Sequence, residues 1–267
     1  MKISIVTSYY NRRPLLETTL KSINESVFKD FEFIVVDDGS DKEHEIADLM
    51  NTYSFLTVVK IEKENKNHVN PAIPFNVGFG IASGDIIMLQ NPECFHLNDI
   101  LLFVNENLGL NDYFSFSTYS INESQTNAIL SESEITREKV IKLISPLLQQ
   151  TFYDFNKPGW YNHSKFRAKG YHFCSAIHRS NLIKLNGFDE RYGEGIGYDD
   201  DELLHRIQRL GLNIKIIDNQ TVVHQYHNQA YVYKNSHELT QRNFNLFQNH
   251  TKIENQIRAN NGKTIII

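Results

Sequence analysis

The sequence predicts an α/β fold with a mostly parallel central sheet and helices on both faces. Three observations predict it. Residues 2–61 alternate short, nearly continuous apolar runs with stretches of helical period, as parallel strands covered on both faces do. Each run ends in a polar cluster, on the edge where an open parallel sheet binds ligands. Near residue 200, a glycine-rich loop delivers four consecutive acidic residues to the start of a helix.

Residues 2–8 are the first predicted strand. Residues 11–14 turn, and Pro14 suits a first helical position; Leu16, Leu20, Ile23 and Val27 then share a helix face. Residues 31–36 form a second strand, ended by Asp37-Asp38-Gly39-Ser40. Ser40 and Glu43 have capping-box spacing, so a helix is expected with Ile46, Leu49, Met50 and Tyr53 on one side. Residues 56–61 are a third strand and 62–70 a polar loop. A helix is expected over 72–83, with Pro74 in its first turn, and a strand over 86–89 ended by Gln90-Asn91-Pro92-Glu93. A helix over 97–108 and a strand over 113–121 follow. The charged stretch 132–150 reads as helical. Residues 151–169 are aromatic and irregular, the kind of loop that carries specificity.

Residues 173–178 are a strand, and a short helix ends at Asn186-Gly187. Gly193, Gly195 and Gly197 precede Asp199-Asp200-Asp201-Glu202; Leu203, Leu204, Ile207 and Leu210 recur at helix spacing until Gly211. One or two carboxylates there would be ordinary caps, worth about 0.5–2 kcal/mol. Four repel one another and raise each other's pKa, which points to a ligand, metal or proton-transfer role. Residues 212–217 and 221–223 are strands, the second running into His224-Gln225-Tyr226-His227. A polar helix over 236–257 and an Ile-rich tail complete the chain.

The 267 residues suffice for one large domain with an appendage, and the net charge of −5 offers no basic footprint for nucleic acid. Cys94 and Cys174 have no paired spacing, so neither a disulfide framework nor a thiolate zinc site is expected, and a reducing compartment fits. The apolar run at the N-terminus is too short for a signal sequence and no window suits a membrane span. A soluble, cytoplasmic protein is expected, with contact to the inner face of a membrane as a variant. The polar C-terminal helix and Ile-rich tail are candidates to pack on a second copy, giving a homo-oligomer, or on a membrane-bound acceptor.

The strand ends collect the candidate chemistry. Asp37-Asp38-Gly39 is a strong turn signal, and a carboxylate there is equally well placed to accept from a ribose hydroxyl or a base N–H. Neither G-x-G-x-x-G after the first strand nor a phosphate loop of the G-x-x-x-x-G-K-[ST] type occurs. Any phosphates must then be neutralised by a metal or by Arg12, Arg13, Lys165 or Arg167. Glu93 and His224 each have ordinary structural readings; together they can hold a divalent ion.

Thr7-Ser8-Tyr9-Tyr10-Asn11-Arg12, Val36-Asp37-Asp38-Gly39-Ser40, Asn76-Val77-Gly78 and Ala82-Ser83-Gly84-Asp85 resemble glycosyltransferase family 2 on the GT-A fold, a Rossmann-like architecture with a smaller acceptor-side region. The run from Asn186-Gly187-Phe188-Asp189 through Asp199-Asp200, Glu202-Leu203 and Arg206 resembles the second half of that family and the corresponding region of β-1,4-galactosyltransferases. The resemblance implies inverting transfer of a sugar from a nucleotide-diphospho donor, usually UDP-linked, to a hydroxyl of a glycan or lipid-linked acceptor, as in polysaccharide biosynthesis. It sets Asp199 and Asp200 on the family's E-D pair, with Asp200 as general base. It places Thr7, Tyr10, Asn11, Arg12, Asp38, Asn76 and Asn91 on the donor side, and Trp160, Tyr161, His172 and Glu202 on the acceptor side. The family's D-x-D metal motif stands here as Asn91-Pro92-Glu93, leaving Glu93 to bind Mn2+ or Mg2+ with His224, or with His227 as second choice. It divides the chain into a transferase domain at 1–228, nucleotide-binding over 1–121 and acceptor-binding and catalytic over 122–228, and a helical extension at 229–267. The competing functions are a non-catalytic nucleotide-sugar-binding module with a decayed metal motif and a sugar nucleotidyltransferase. The latter needs a glycine-rich loop after the first strand, and residues 7–13 contain no glycine.

Overall fold

The structure, a computed structural model, describes residues 1–149, 158–228 and 235–266. Part of the irregular stretch expected at 151–169 therefore lies outside the described residues. The elements run β1 (Ile3–Tyr9), α1 (Arg13–Asn24), β2 (Phe31–Asp37), β3 (Leu56–Lys60), α2 (Ala72–Ile81), β4 (Ile86–Gln90), β5 (Cys94–His96) and α3 (Ile100–Asn107). They continue β6 (Asp112–Ser120), α4 (Glu123–Leu130), α5 (Arg137–Ile144), β7 (Gly159–Asn162), β8 (Cys174–His178), α6 (Arg179–Leu185), α7 (Asp199–Arg209), β9 (Asn213–His224) and α8 (Ser236–Leu246).

The strands form one sheet in the order β3-β2-β1-β4-β8-β6-β9-β5, with β7 also on β6. β3, β2, β1 and β4 are parallel, as the alternating apolar runs predict. The second half is mixed: β8 runs antiparallel to both β4 and β6, while β6 and β9 are parallel. The strand pleat divides the core. Ile3, Ile5, Phe33 and Val35 pack with Leu16, Leu20 and Ile23 of α1 and Ile100, Leu101 and Val104 of α3 on one face. Val6, Ile34, Val36, Ile87 and Leu89 pack with Phe75 and Phe79 of α2, Leu182 and Leu185 of α6, and Leu203 and Ile207 of α7 on the other.

Several expectations are corrected. No α-helix follows Ser40; two 3-10 segments stand there, Lys42–His44 and Ala47–Asn51. Glu45 between them is extended (ψ 141°), which breaks the periodic run. The Ser40 hydroxyl does not cap; it accepts from the Asn11 N–H at 3.0 Å. Of the single helix expected over 132–150 only α5 forms among the described residues, and a separate helix, α4, precedes it from an Asn122/Gln125 capping box. β5 and β7 are additional strands of only three and four residues, too short for period 2 to stand out. The two late strands are one, β9, with a bulge: Phe116 pairs with Ile217 but Ser117 with Thr221. The tail expected to meet a partner packs within the chain. Ile266 is 2% exposed in the core beside α2 and α6, and the Asn186 side chain bonds Ala259 O (2.9 Å), Lys263 O (2.8 Å) and Ile265 N (2.9 Å). Among the described residues, no helix is long and apolar enough to cross a membrane.

Gly84 shows what the Ala-Ser-Gly-Asp motif does. Its N–H donates to the Ser4 hydroxyl at 2.8 Å, and a Cβ there would sit 2.6 Å from Ser4 N. The obstacle is the backbone of β1, which cannot step aside cheaply. Gly84→Ala is expected to destabilise the fold by about 1–3 kcal/mol, read as a lower urea midpoint at unchanged slope.

Candidate active site

Two cavities adjoin at the carboxyl ends of β1, β2 and β4, sharing Val69, Pro71 and Asn91 as walls. The first, about 290 Å³, is lined by Tyr10, Arg12, Asp38, Lys66, Glu93, His224 and His227 among others. β2 delivers Asp38 at its end. The carboxylate is buried, with Oδ2 2.7 Å from Lys66 Nζ and Oδ1 2.7 Å from His68 Nε2. Lys66 also lies 4.2 Å over the Tyr10 ring.

Glu93 closes the other side of this cavity. It is fully buried and accepts from Arg12 Nη1 at 2.8 Å through Oε2. Its Oε1 lies 3.0 Å from His224 Nε2 and 3.3 Å from His227 Nε2. Burial opposes its charge, but Arg12 and the two histidines outweigh burial and hold the carboxyl well below the usual range. Burial lowers His224 despite Glu93, so its imidazole is neutral near pH 7. A deprotonated carboxylate and neutral imidazoles are the forms a metal needs, and one ligand atom from each of Glu93, His224 and His227 falls within 4.8 Å of the others. The residues present therefore fit a divalent ion.

The second cavity, about 230 Å³, is lined by Asn70, His172, Ile196, Gly197, Asp199 and Asp200 among others. Its acidic wall is delivered by an unusual turn. Gly197 (φ 68°) and Tyr198 (φ 64°) are consecutive left-handed residues, a conformation that costs a tyrosine free energy. Packing holds it there: the Tyr198 ring lies 5.5 Å from Phe244 and 6.0 Å from Phe247, and Asn243 Nδ2 donates to Tyr192 O (3.0 Å) and Gly197 O (2.9 Å). α7 then opens with the four acids, and the helix splits their surroundings. Asp199 is buried, accepts from Asn70 Nδ2 at 2.8 Å, and is pushed up to about 6 by burial and then by Asp200. Asp200 is partly exposed; its Oδ1 lies 2.5 Å from His172 Nδ1 and accepts from the His172 N–H at 3.2 Å. Asp201 accepts from the Tyr171 hydroxyl at 3.0 Å. Glu202 points to the opposite side, into a buried pair with Arg206.

Of the residues singled out by sequence, Tyr10, Arg12, Asp38, Asn91, Glu93, His224 and His227 meet in the first cavity, and His172, Asp199 and Asp200 in the second, where Asn91 also reaches. The others line neither. Thr7 is buried within β1. Asn11 shapes a turn (φ 50°), exchanging side-chain bonds with Asp41 at 2.6 and 2.8 Å. Asn76 pins the turn after α6, taking Phe188 N–H at 2.8 Å and giving to Phe188 O at 3.0 Å. Trp160 is buried edge-on to Tyr119, and Tyr161 lies 5.0 Å from the His224 ring. Sequence reasoning missed Lys66, His68 and Asn70, which stand in a stretch read only as polar loop. It also missed Asn243, whose partners are some fifty residues away.

Comparisons with known proteins bear on the family and the fold. Residues 4–175 match glycosyl transferase family 2, and residues 160–228 match the N-terminal domain of galactosyltransferase. The amylovoran biosynthesis glycosyltransferase AmsB of Erwinia amylovora is 26% identical over 225 residues, 81% of this chain and 67% of that protein. An uncharacterized glycosyltransferase of Haemophilus influenzae is 28% identical over 147 residues, 52% of this chain and 48% of that one. Among solved structures, Staphylococcus aureus TarS 1–349 in complex with UDP-GlcNAc is 17% identical with a TM-score of 0.58, covering 88% of this chain and 61% of that chain. The mannosyltransferase PcManGT of Pyrobaculum calidifontis, in complex with GDP-Man and Mn2+, is 16% identical with a TM-score of 0.53, covering 86% and 58%. This chain thus spans about half to two thirds of the length of these proteins, and the fold they share with it is GT-A. Matching the family over more than half its length, the chain belongs to glycosyl transferase family 2.

Proposed function

We propose that the chain transfers a sugar from a UDP-sugar to a hydroxyl of a glycan or lipid-linked acceptor, with inversion, in the assembly of a polysaccharide. One observation carries the reading: a partly exposed carboxylate, Asp200, stands in a cavity that shares walls with the cavity of Asp38 and Glu93. A donor whose nucleotide lies beside Asp38 can then present its anomeric carbon toward Asp200. In this reading Asp38 and Tyr10 receive the nucleoside, and Arg12 and Lys66 face the phosphates. Asp200 takes the proton of the acceptor hydroxyl as its oxygen attacks the anomeric carbon from the side opposite the departing UDP. Asp199 stands beside the base, its own carboxyl pushed up to about 6 by burial and then by the charge of Asp200.

Glu93, His224 and His227 would hold Mn2+ or Mg2+, an ion that supplies charge neutralisation to a leaving diphosphate. The same reading treats residues 1–228 as the transferase domain and the C-terminal segment as a brace, since Asn243 ties α8 to the glycine loop before the base.

Calorimetric titration of UDP with and without Mn2+ tests the donor side. Wild type is expected to bind UDP about tenfold or more tightly with Mn2+, a gain of about 1.4 kcal/mol, and Glu93→Gln is expected to lose that gain. Equal UDP affinity with and without Mn2+ would remove the metal from the reading. No UDP binding under either condition would leave the donor assignment without support.

A further inference from the structure

We infer that His172 is a positioning residue for the base: its imidazole and its backbone N–H hold one oxygen of Asp200 so that the other faces the acceptor. The inference rests on the reading of Asp200 as the base.

The geometry is specific. Both polar contacts recorded for the Asp200 carboxylate among the described residues fall on Oδ1: His172 Nδ1 at 2.5 Å and His172 N at 3.2 Å. A donating backbone N–H and an imidazole nitrogen in ion-pair range, both from one residue, thus meet one oxygen, which restricts the rotation of the carboxylate. The imidazole cannot follow a swing of Asp200 outward. It is 5% exposed, with its ring 5.2 Å from Phe75 at 87° and 5.0 Å from Phe188 at 64°. Phe75 comes from α2 and Phe188 from the turn that Asn76 pins, and both belong to the core. One partner is therefore set in the wall and the other stands at the cavity, 28% exposed. That is the arrangement a base needs, because a carboxylate free to rotate loses the orientation on which proton transfer depends.

Electrostatics act in the same direction. From α7, His172 faces Asp200 and Asp199, whereas Phe75 and Phe188 bring no charge. Burial disfavours the imidazolium, but Asp200 and then Asp199 outweigh it and raise the His172 pKa above its ordinary value. The stabilisation from this pair is present below about pH 6.5, the ordinary His value. It is lost as pH rises through the raised midpoint.

The test uses the purified chain with Mn2+ and UDP-glucose or UDP-N-acetylglucosamine, following hydrolysis of the donor without acceptor. In that reaction water attacks the anomeric carbon, the bond to UDP breaks and Asp200 takes the proton of water. His172→Leu removes the side-chain contact and is expected to lower kcat about tenfold, part of the roughly 10²–10⁴-fold a positioned base supplies, with UDP affinity unchanged. His172→Asn sets an amide nitrogen near the place of Nδ1 and is expected to restore most of that loss. Equal losses in the two variants, or none in His172→Leu, would overturn the inference while leaving the base assignment standing. Wild-type hydrolysis by Asp200→Asn would instead remove the base assignment, and the inference with it. A readout independent of turnover is the imidazole titration of His172 by NMR, assigned from the signal lost in His172→Asn. Its midpoint should lie above the ordinary value in wild type and fall in Asp200→Asn; a midpoint that does not move shows that the two groups are not paired.

Discussion

Asp200→Asn is expected to lower turnover by about 10²–10⁴-fold, the usual contribution of a positioned general base, while UDP affinity and melting temperature stay near those of wild type. The substitution keeps shape and removes the capacity to accept a proton. Asp200 lies in the first turn of α7 and is partly exposed, so above the His172 midpoint, where the stabilisation from their pair is lost, the fold depends little on its charge. The donor cavity has Asp38, Glu93, His224 and His227 on its walls and not Asp200, so nucleotide binding should survive. Donor hydrolysis or transfer gives the rate and calorimetry with UDP gives the binding. A rate within a few-fold of wild type would move the base elsewhere, and Asp199 is the next candidate, since its carboxyl sits at about 6. Loss of UDP binding together with the rate would mean that the variant disturbs the donor site, and the experiment would then say nothing for a base at position 200.

The two carboxylates at the heart of this prediction were legible in the sequence, and so was the parallel half of the sheet. Both rest on local signals: apolar runs of strand length, glycines before an acidic block, helix spacing after it. What the sequence withheld was long-range partnership. Glu202 and Asp200 look alike in a row of four acids, yet the pitch of α7 turns one toward Arg206 and the other toward His172. Asn76 and Trp160 resemble ligand residues by type, but tertiary contacts occupy them: Asn76 with the Phe188 backbone and Trp160 with Tyr119. Lys66, His68 and Asn70 carried no periodicity, and only the folded loop carries Lys66 and His68 to Asp38 and Asn70 to Asp199. The helix expected after Ser40 failed for a related reason: of its apolar side only Ile46 and Leu49 are buried, Tyr53 packs on the core partly exposed, and Met50 stays 40% exposed. So little burial does not hold an α-helix together.

Arg206→Met is the substitution expected to cost the fold most. Arg206 is 2% exposed, and its guanidinium is satisfied on every side. Nε and Nη2 meet the Glu202 oxygens at 2.5 and 2.6 Å, Nη1 gives to Leu185 O at 2.8 Å, and Nη2 to Gly187 O at 2.9 Å. Those two carbonyls lie at the end of α6 and just beyond it, where helix geometry leaves acceptors without intrahelical donors. Methionine fills similar space but leaves a buried carboxylate unpaired and takes from Gly187 O the Arg206 donor, while Leu185 O keeps only the Ala259 N–H at 3.0 Å. Breaking one side of a buried ion pair costs about 3–5 kcal/mol, which for a domain of this size is a fall in melting temperature of roughly 10 °C. The defect should also depend on pH. Burial already raises the Glu202 carboxyl against the pull of Arg206, and without Arg206 nothing of opposite charge bonds it directly. Protonation then removes the buried charge, so the loss should be smaller at pH 5 than at pH 8. A second substitution, Glu202→Met on the Arg206→Met background, should recover part of the loss at pH 8, because paired apolar replacement of a buried ion pair is often close to neutral. A loss below about 1 kcal/mol with no pH dependence would mean that water reaches this pair, and Glu202 would return as a candidate to face a substrate. A large, pH-dependent loss assigns it to the joint that holds α7, and with it Asp200, against the end of α6.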